Sequence, residues 1–370
     1  MKLVIAGGGT GGHLFPGMAV AEVFLEKEAG NEVLFIGTER GIESKMLAGG
    51  KFPLRTIQAL PLKGRSLWGK AKALWMLPRA ICEAWHILKE FRPQIMVGVG
   101  GYASGPALVA GFLLGIKRAI HEQNLVPGMT NRLLKWITQR IFISFEETKE
   151  YFPAHRTLFT GMPVRKEILL CRPGGASPGR DGRRPGGRFT LFVFGGSAGA
   201  HRINQAMMEA LEPLQEIRGM LKIFHQTGSE DFEAVSTAYR KAGFDSLARP
   251  FFEEMAPCYG SSDLVICRAG ASTIAELALC GKAAIFVPYP HAAHQHQLIN
   301  ARALVKRGAG RLIRDEALNG TSLSREVLDL YHHPEDQRRM EQAIRPLGIA
   351  DAAQQIVNHC YGLVNRACQV

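Results

Sequence analysis

The sequence predicts an α/β protein made of two doubly wound, Rossmann-like parallel-sheet domains, and three observations carry that prediction. Short apolar runs rich in β-branched residues alternate with helical patterns from end to end. The chain has 370 residues, too many for one ordinary core and enough for two. A strand followed by a glycine-rich turn opens each half: Gly8-Gly9-Thr10-Gly11-Gly12 in the first and Gly195-Gly196-Ser197-Ala198-Gly199 in the second. This weak repeat points to duplication, and two such domains facing each other leave a cleft at the carboxyl ends of both sheets.

In chain order, Leu3 to Ala6 reads as the first strand, and Gly7 to His13 as a turn into a helix that Pro16 helps to start. Further strands are expected at Val33 to Ile36, Ile95 to Val99, Ala119 to His121 and Ile141 to Ser144. The first domain is expected to span 1–163, ending near Gly161-Met162-Pro163, because Val164 to Leu170 already has the look of a helix. A second domain is expected over 164–346, with strands at Leu191 to Phe194, Ile223 to Gln226, Leu264 to Cys267 and Ala284 to Val287. Within it, the stretch 171–188 is rich in Gly, Pro and Arg and nearly free of large apolar residues, so it reads as a flexible insert. The tail 347–370 is expected to form a helix that returns to the first domain.

Composition narrows the partners. An apolar share of 46% with 21% charged residues is that of a globular protein, and no apolar run reaches the roughly 18 residues a spanning helix needs. Met1 and Lys2 run directly into a strand, without the pattern of a signal peptide, which predicts a protein that stays inside the cell. The seven cysteines are scattered and form no Cys-x-x-Cys pair, so they read as reduced thiols. A net charge of +12 favours an anionic partner. No nucleic-acid-binding module is recognisable, which leaves an anionic membrane surface or a phosphorylated substrate in the lead.

Five motifs carry chemistry. Gly7 to His13 brings backbone amides to a helix N-terminus, where a diphosphate binds well. Gly7, Gly9 and Gly12 with Glu39 also satisfy a dinucleotide fingerprint, so an NAD-dependent oxidoreductase is a competing reading. Gly100 to Gly105 and Gly195 to Gly199 repeat the glycine-rich turn, and one nicotinamide cofactor does not need three. Gly270 to Glu276 opens a helix that Ser272 or Thr273 can cap, with Glu276 on the first turn facing the cleft, either completing a capping box or accepting hydrogen bonds from a ribose. Val287 to His291, then His294 to Gln297 with Asn300, crowds three histidines without the i, i+4 pairing or acidic companion of a zinc site; amides such as Gln297 suit sugar hydroxyls better.

These residues together resemble the MurG family. The motifs are Gly8 to His13, Gly100 to Ser104, His121-Glu122-Gln123-Asn124, Gly161 to Arg165, Gly195 to Ala200, Gly270 to Glu276, and His296-Gln297 with Asn300, in that order along nearly the whole chain. The resemblance implies a GT-B fold and transfer of N-acetylglucosamine (GlcNAc) from UDP-GlcNAc to undecaprenyl-diphosphoryl-MurNAc-pentapeptide (lipid I), forming lipid II. It implies donor contacts from Thr10, Gly11 and Gly12, from Asn124 near the sugar, and from Arg165 and Ser197 near the diphosphate. Phe252 is implied beside the uracil through its backbone, Ala271, Ser272, Thr273 and Glu276 along the nucleotide, and Gln297 on the GlcNAc hydroxyls. The turn at Gly101, Tyr102 and Ser104 is implied to face the acceptor diphosphate. Met162 stands where the family usually carries Asn, and the 171–188 insert is longer and more basic than the family leads one to expect.

Transfer with inversion needs a base for the acceptor hydroxyl and stabilisation of the departing UDP. His13 closes the first glycine-rich turn and is the leading base candidate, with Glu122 the alternative. No Asp-x-Asp occurs, and helix N-termini with Arg165 can stabilise the diphosphate, so neither metal nor cofactor is expected. Leu62 to Arg79 interleaves apolar and basic residues with no acidic one, which predicts either a helix packed in the core or a peripheral contact with the cytoplasmic face of the membrane through Trp68, Leu74 and Trp75. A diacylglycerol glycosyltransferase and a non-catalytic UDP-sugar sensor remain as rivals.

Overall fold

A computed structural model describes residues 1–9, 11–39, 47, 50, 52–60, 66, 68, 75–171, 187–196, 198–292 and 295–365. The chain forms two compact units, one of Met1–Arg165 with Ile349–Val370 and the other of Lys166–Gly348.

In the first unit, β1 (Lys2–Ala6), β2 (Glu32–Gly37), β3 (Leu54–Thr56), β4 (Ile95–Gly98), β5 (Lys117–Glu122), β6 (Arg140–Ile143) and β7 (Thr157–Phe159) form one sheet in the order β3-β2-β1-β4-β5-β6-β7. Every pairing is parallel. The alternation of a strand sends Leu3 and Ile5 into the core on one face, and Val4 and Ala6 into the core on the other. Both faces being covered, the central strands read as unbroken apolar runs. The helix Ala352–Asn365 packs on the helix Gly11–Lys27, and Ile356, Val357 and Cys360 join the core of this unit.

In the second unit, β8 (Phe189–Phe194), β9 (Leu221–Gln226), β10 (Asp245–Arg249), β11 (Leu264–Cys267), β12 (Ala283–Phe286) and β13 (Arg311–Leu312) run in the order β10-β9-β8-β11-β12-β13, again all parallel. Strand order reverses between β1 and β4 in one unit and between β8 and β11 in the other. Such switch points, at the carboxyl ends of the strands, are where open parallel sheets bind ligands.

Pro16 does not start its helix. The helix begins at Gly11 and Pro16 sits in the second turn, because the glycine-rich turn runs straight into helical backbone without a separate start.

Candidate active site

In the first unit, β1 ends at Ala6 and β4 at Gly98, so the turns at Gly7–Gly9 and Val99–Gly101 emerge side by side. A side chain at Gly7 would strike the Gly100 carbonyl and one at Gly101 the Gly8 carbonyl, while φ is +149° at Gly7 and +78° at Gly101. Only glycine lets two backbones meet this closely in these conformations. Gly11 and Gly12 are the first residues of Gly11–Lys27, whose opening turn carries no acidic side chain, so its N–H groups suit an anion. His13 follows, half-buried; a β-carbon on Gly100 would lie 2.9 Å from its Cδ2 and 3.1 Å from its Nε2. The Tyr102 hydroxyl accepts from Thr38 Oγ1 at 3.3 Å, and Ser104 is fully buried at the start of Ser104–Leu113. Thr10 lies outside the described residues.

At the end of β5, Glu122 is 1% exposed and its carboxylate is enclosed by donors. The Asn124 N–H donates to Oε1 at 3.0 Å, and the Asn131 side chain and the Gly128 N–H donate to Oε2 at 2.9 and 3.1 Å. The Asn124 side chain adds a longer contact of 3.4 Å. Burial raises the Glu122 pKa, and these hydrogen bonds pull against it. The carboxylate therefore folds the segment 123–128 back on β5 and sets the place of Asn124. Arg165 lays its guanidinium over the Phe15 ring at 5.0 Å, and Phe15 packs beneath Gly11, so a cation stands beside the first glycine-rich turn. Met162 is buried, with the Ser144 hydroxyl 3.5 Å from its sulfur.

In the second unit, Gln226 ties two chain segments together. Its Nε2 donates to the Gly196 carbonyl at 2.8 Å, and its Oε1 accepts the Phe252 N–H at 2.8 Å. The Phe252 backbone is thereby held with its N–H already engaged. Ser197 lies outside the described residues. The helix Ala271–Cys280 is N-capped by Gly270 with no side-chain cap hydrogen bond, so neither Ser272 nor Thr273 caps it. Glycine takes the extended cap position and the hydroxyls fall inside the first turn, beside backbone N–H groups. Glu276 is the sixth helical residue, one turn further in than the capping box needs. It is 6% exposed, and the fully buried Tyr259 donates its hydroxyl to Oε2 at 2.9 Å. Gln297 accepts the Tyr289 N–H on Oε1 at 2.9 Å, which turns its NH2 into the donor for a ligand. Arg268 pairs with Asp315 at 2.5 Å and donates to the Val287 and Pro288 carbonyls, fixing the turn that carries Tyr289.

Sequence reasoning missed Phe15, Tyr259, Gln226 and Arg268. Each acts on a site residue from a distant part of the chain and belongs to no motif.

Trp68 and Trp75 are 87% and 83% exposed, so they do not pack in a core; Leu74 and most of the 171–188 insert lie outside the described residues. The helices Ser104–Leu113 and Met129–Leu134 pack on each other and leave Phe112, Leu113 and Leu133 exposed, with Trp136 just beyond them. Lys135 lies over the Trp136 ring at 5.1 Å. A signal for this surface was present, since Met129 to Arg140 contains no acidic residue. No helix among the described residues is long and apolar enough to cross a membrane.

Two parallel, doubly wound sheets with glycine-rich turns at both switch points are the GT-B architecture, and the similarities make the chain a glycosyltransferase of that kind. Residues 3–143 match the glycosyltransferase family 28 N-terminal domain, and residues 190–356 match its C-terminal domain. The chain belongs to glycosyltransferase family 28, within the MurG branch. It is 48% identical to the UDP-N-acetylglucosamine–N-acetylmuramyl-(pentapeptide) pyrophosphoryl-undecaprenol N-acetylglucosamine transferase of Geotalea daltonii, over 100% of this chain and 99% of the relative. It is 44% identical to the protein of that name from Myxococcus xanthus, over 98% of this chain and 93% of the relative. The crystal structure of Acinetobacter baumannii MurG superposes with a TM-score of 0.76 at 29% identity, covering 98% of this chain and 99% of that one. A UDP-GlcNAc 2-epimerase from Neisseria meningitidis, at 14% identity, shares the fold (TM-score 0.64; 97% of this chain and 99% of that one).

Proposed function

We propose that the chain is an inverting transferase that moves GlcNAc from UDP-GlcNAc to the 4-hydroxyl of MurNAc in lipid I, forming lipid II for peptidoglycan synthesis. The observation that carries this reading is the name shared by relatives 43–48% identical along essentially the whole chain. An oxidoreductase reading of Gly7, Gly9 and Gly12 has no counterpart among them.

The site residues take the following roles in this reading. The second domain, expected over 164–346, holds the donor: Glu276 accepts from the ribose hydroxyls, Phe252 offers its backbone carbonyl to the uracil, and the Gln297 amide donates to GlcNAc hydroxyls. Ala271, Ser272 and Thr273, with Ser197, meet the diphosphate through the helix N-terminus, where positive dipole and open N–H groups stabilise the leaving UDP. Arg165, Asn124, Thr10, Gly11 and Gly12 complete the donor contacts. The first domain, 1–163 with the tail, receives the acceptor diphosphate at Gly101, Tyr102 and Ser104. His13 takes the hydroxyl proton. Glu122, enclosed by N–H donors, serves better as the support of Asn124 than as a base. No step calls for a metal or cofactor, and no nucleic acid takes part.

The acceptor lies in a bilayer, so the reading includes peripheral docking on the anionic cytoplasmic face. Trp68 and Trp75, with Phe112, Leu113, Leu133 and Trp136, offer apolar side chains among basic ones.

Incubation with radiolabelled UDP-GlcNAc and either lipid I or diacylglycerol, with NADH fluorescence alongside, tests the reading. Label is expected in lipid I alone. Label in diacylglycerol, or nucleotide-dependent NADH oxidation without transfer, refutes it.

A further inference from the structure

Next to the turn that Gln297 holds lies a cavity of about 230 Å³ to which no role above is given. Three elements of the second unit line it. The turn Pro288-Tyr289-Pro290 leaves β12, the segment Arg314 to Glu316 follows β13, and the helix His296–Lys306 adds Gln295 at its N-cap, Leu298 and Arg302. Positions 295, 298 and 302 stand i, i+3, i+7, the spacing of one stripe along a helix.

The walls are held in place. Arg268 donates to the Val287 and Pro288 carbonyls, pairs with Asp315 and lies over the Tyr289 ring at 5.5 Å. Arg202 donates to the Asp315 and Leu318 carbonyls at 3.0 and 3.1 Å. Gln295 has φ +52° and ψ +27°, a left-handed conformation that a residue with a long side chain seldom adopts. Such strain persists only where the surroundings impose it, and it gathers at ligand clamps.

Charge and size describe the guest. Asp315 is neutralised by Arg268 at 2.5 Å, with Arg202 at 3.8 Å. Arg314 meets Glu316 at 3.5 Å with both side chains largely in solvent, a pairing that contributes little and is easily exchanged. Among the described residues Arg302 makes no ion pair. Two cations against one anion, beside an aromatic ring, an amide and Leu298, suit a carboxylate carried on an organic chain. The cavity is smaller than the roughly 300 Å³ at which pockets for whole small molecules begin, so it takes the end of a larger ligand.

We propose that this cavity is the subsite for the acceptor's peptide: Arg302 and Arg314 bind a peptide carboxylate, and Tyr289 and Leu298 carry the chain beside it. The inference rests on the reading of lipid I as acceptor and of Gln297 as a GlcNAc contact. The attacking hydroxyl comes within bonding distance of the sugar that Gln297 holds, and Gln297 accepts the N–H of Tyr289, which lines the cavity. MurNAc bears both that hydroxyl and the peptide, so the peptide leaves the reacting sugar close to this turn.

Initial rates of the full-length protein at saturating UDP-GlcNAc test this, with lipid I and with the same acceptor amidated at its peptide carboxylates. Arg302→Gln with Arg314→Gln is expected to raise KM for lipid I roughly 5-fold to 50-fold, with kcat and the Kd for UDP-GlcNAc unchanged. On the amidated acceptor the wild type should already show the raised KM, and the double variant should add nothing. A double variant with wild-type KM for lipid I overturns the proposal, and so does an equal further rise on the amidated acceptor. Both arginines are exposed, so circular dichroism should show wild-type folding. If it does not, the wild type decides alone: equal KM for the two acceptors overturns the proposal. Failure of the wild type to label lipid I at all would instead remove the reading on which the proposal rests, an outcome distinct from any KM result.

Discussion

Glu276→Ala is expected to weaken UDP-GlcNAc binding, and the structure sets the size of the loss. The carboxylate already accepts the Tyr259 hydroxyl on Oε2 at 2.9 Å, so in this reading the ribose hydroxyls bind a group that the fold holds in place. A hydrogen bond to a charged acceptor contributes about 1.5 to 3 kcal/mol, and two that share one group add less than twice that. A loss of about 2 to 4 kcal/mol raises Kd by about 30-fold to 700-fold. The same truncation strands a fully buried Tyr259 hydroxyl, which costs about 1 to 3 kcal/mol of stability, so the variant should unfold earlier while remaining folded at 25 °C. Tyr259→Phe separates the effects: the carboxylate stays but loses its tether, and Kd should rise only about 3-fold to 10-fold. Titration calorimetry on both variants, with thermal unfolding in parallel, is the assay. Wild-type affinity in a folded Glu276→Ala protein would remove Glu276 from the donor site.

Four further outcomes are expected. His13→Ala should cut kcat at saturating substrates by roughly 10²-fold to 10⁴-fold with donor affinity nearly intact, and a collapse of affinity at unchanged kcat would make His13 a binding residue. Dialysis against EDTA should leave turnover intact; loss restored by one particular divalent ion would overturn the account of UDP departure. Trp68→Ser with Trp75→Ser should reduce binding to anionic vesicles and leave binding of UDP-GlcNAc unaffected, and equal vesicle binding would discard this docking surface. Stability should fall on acidification, because His121 and His225 are buried neutral with pKa values lowered to about 4 and about 3. A lowered folded-state value gives stability that is present above the unfolded value near 6.5 and is lost as pH falls toward 4 and below, up to about 3 kcal/mol for His121. Urea unfolding between pH 6.5 and 5 checks this: the slope should flatten in His225→Gln, and an equal slope there contradicts it.

The inner strands were legible because burial on both faces forces them to be apolar. β1, β2, β4, β5, β6, β8, β9, β11 and β12 all fall where the expected strands stood, within a few residues at each end. The four unforeseen strands, β3, β7, β10 and β13, are the edges of the two sheets. An edge strand is paired on one side only and is short; β10, Asp245–Arg249, alternates exposed and half-buried residues and carries no apolar run to read. At the site, glycines announced themselves because backbone approach permits nothing else, as at Gly7 and Gly101. The supports of the site were not legible. Nothing local marks Tyr259 as the partner of Glu276, or Gln226 as the link between Gly196 and Phe252, since each contact is made by the fold. At Glu122 the motif alone could suggest chemistry but not surroundings: the fold buries its carboxylate among donors from Asn124, Gly128 and Asn131.

The stereochemistry and position of the new bond test the central claim most directly. UDP-GlcNAc carries its sugar in the α configuration, and direct displacement by the MurNAc 4-hydroxyl inverts it. Proton NMR of the disaccharide released from product made with this protein, UDP-GlcNAc and lipid I should show a β linkage to O4 of MurNAc. An α linkage, or GlcNAc attached at any other position, contradicts the account.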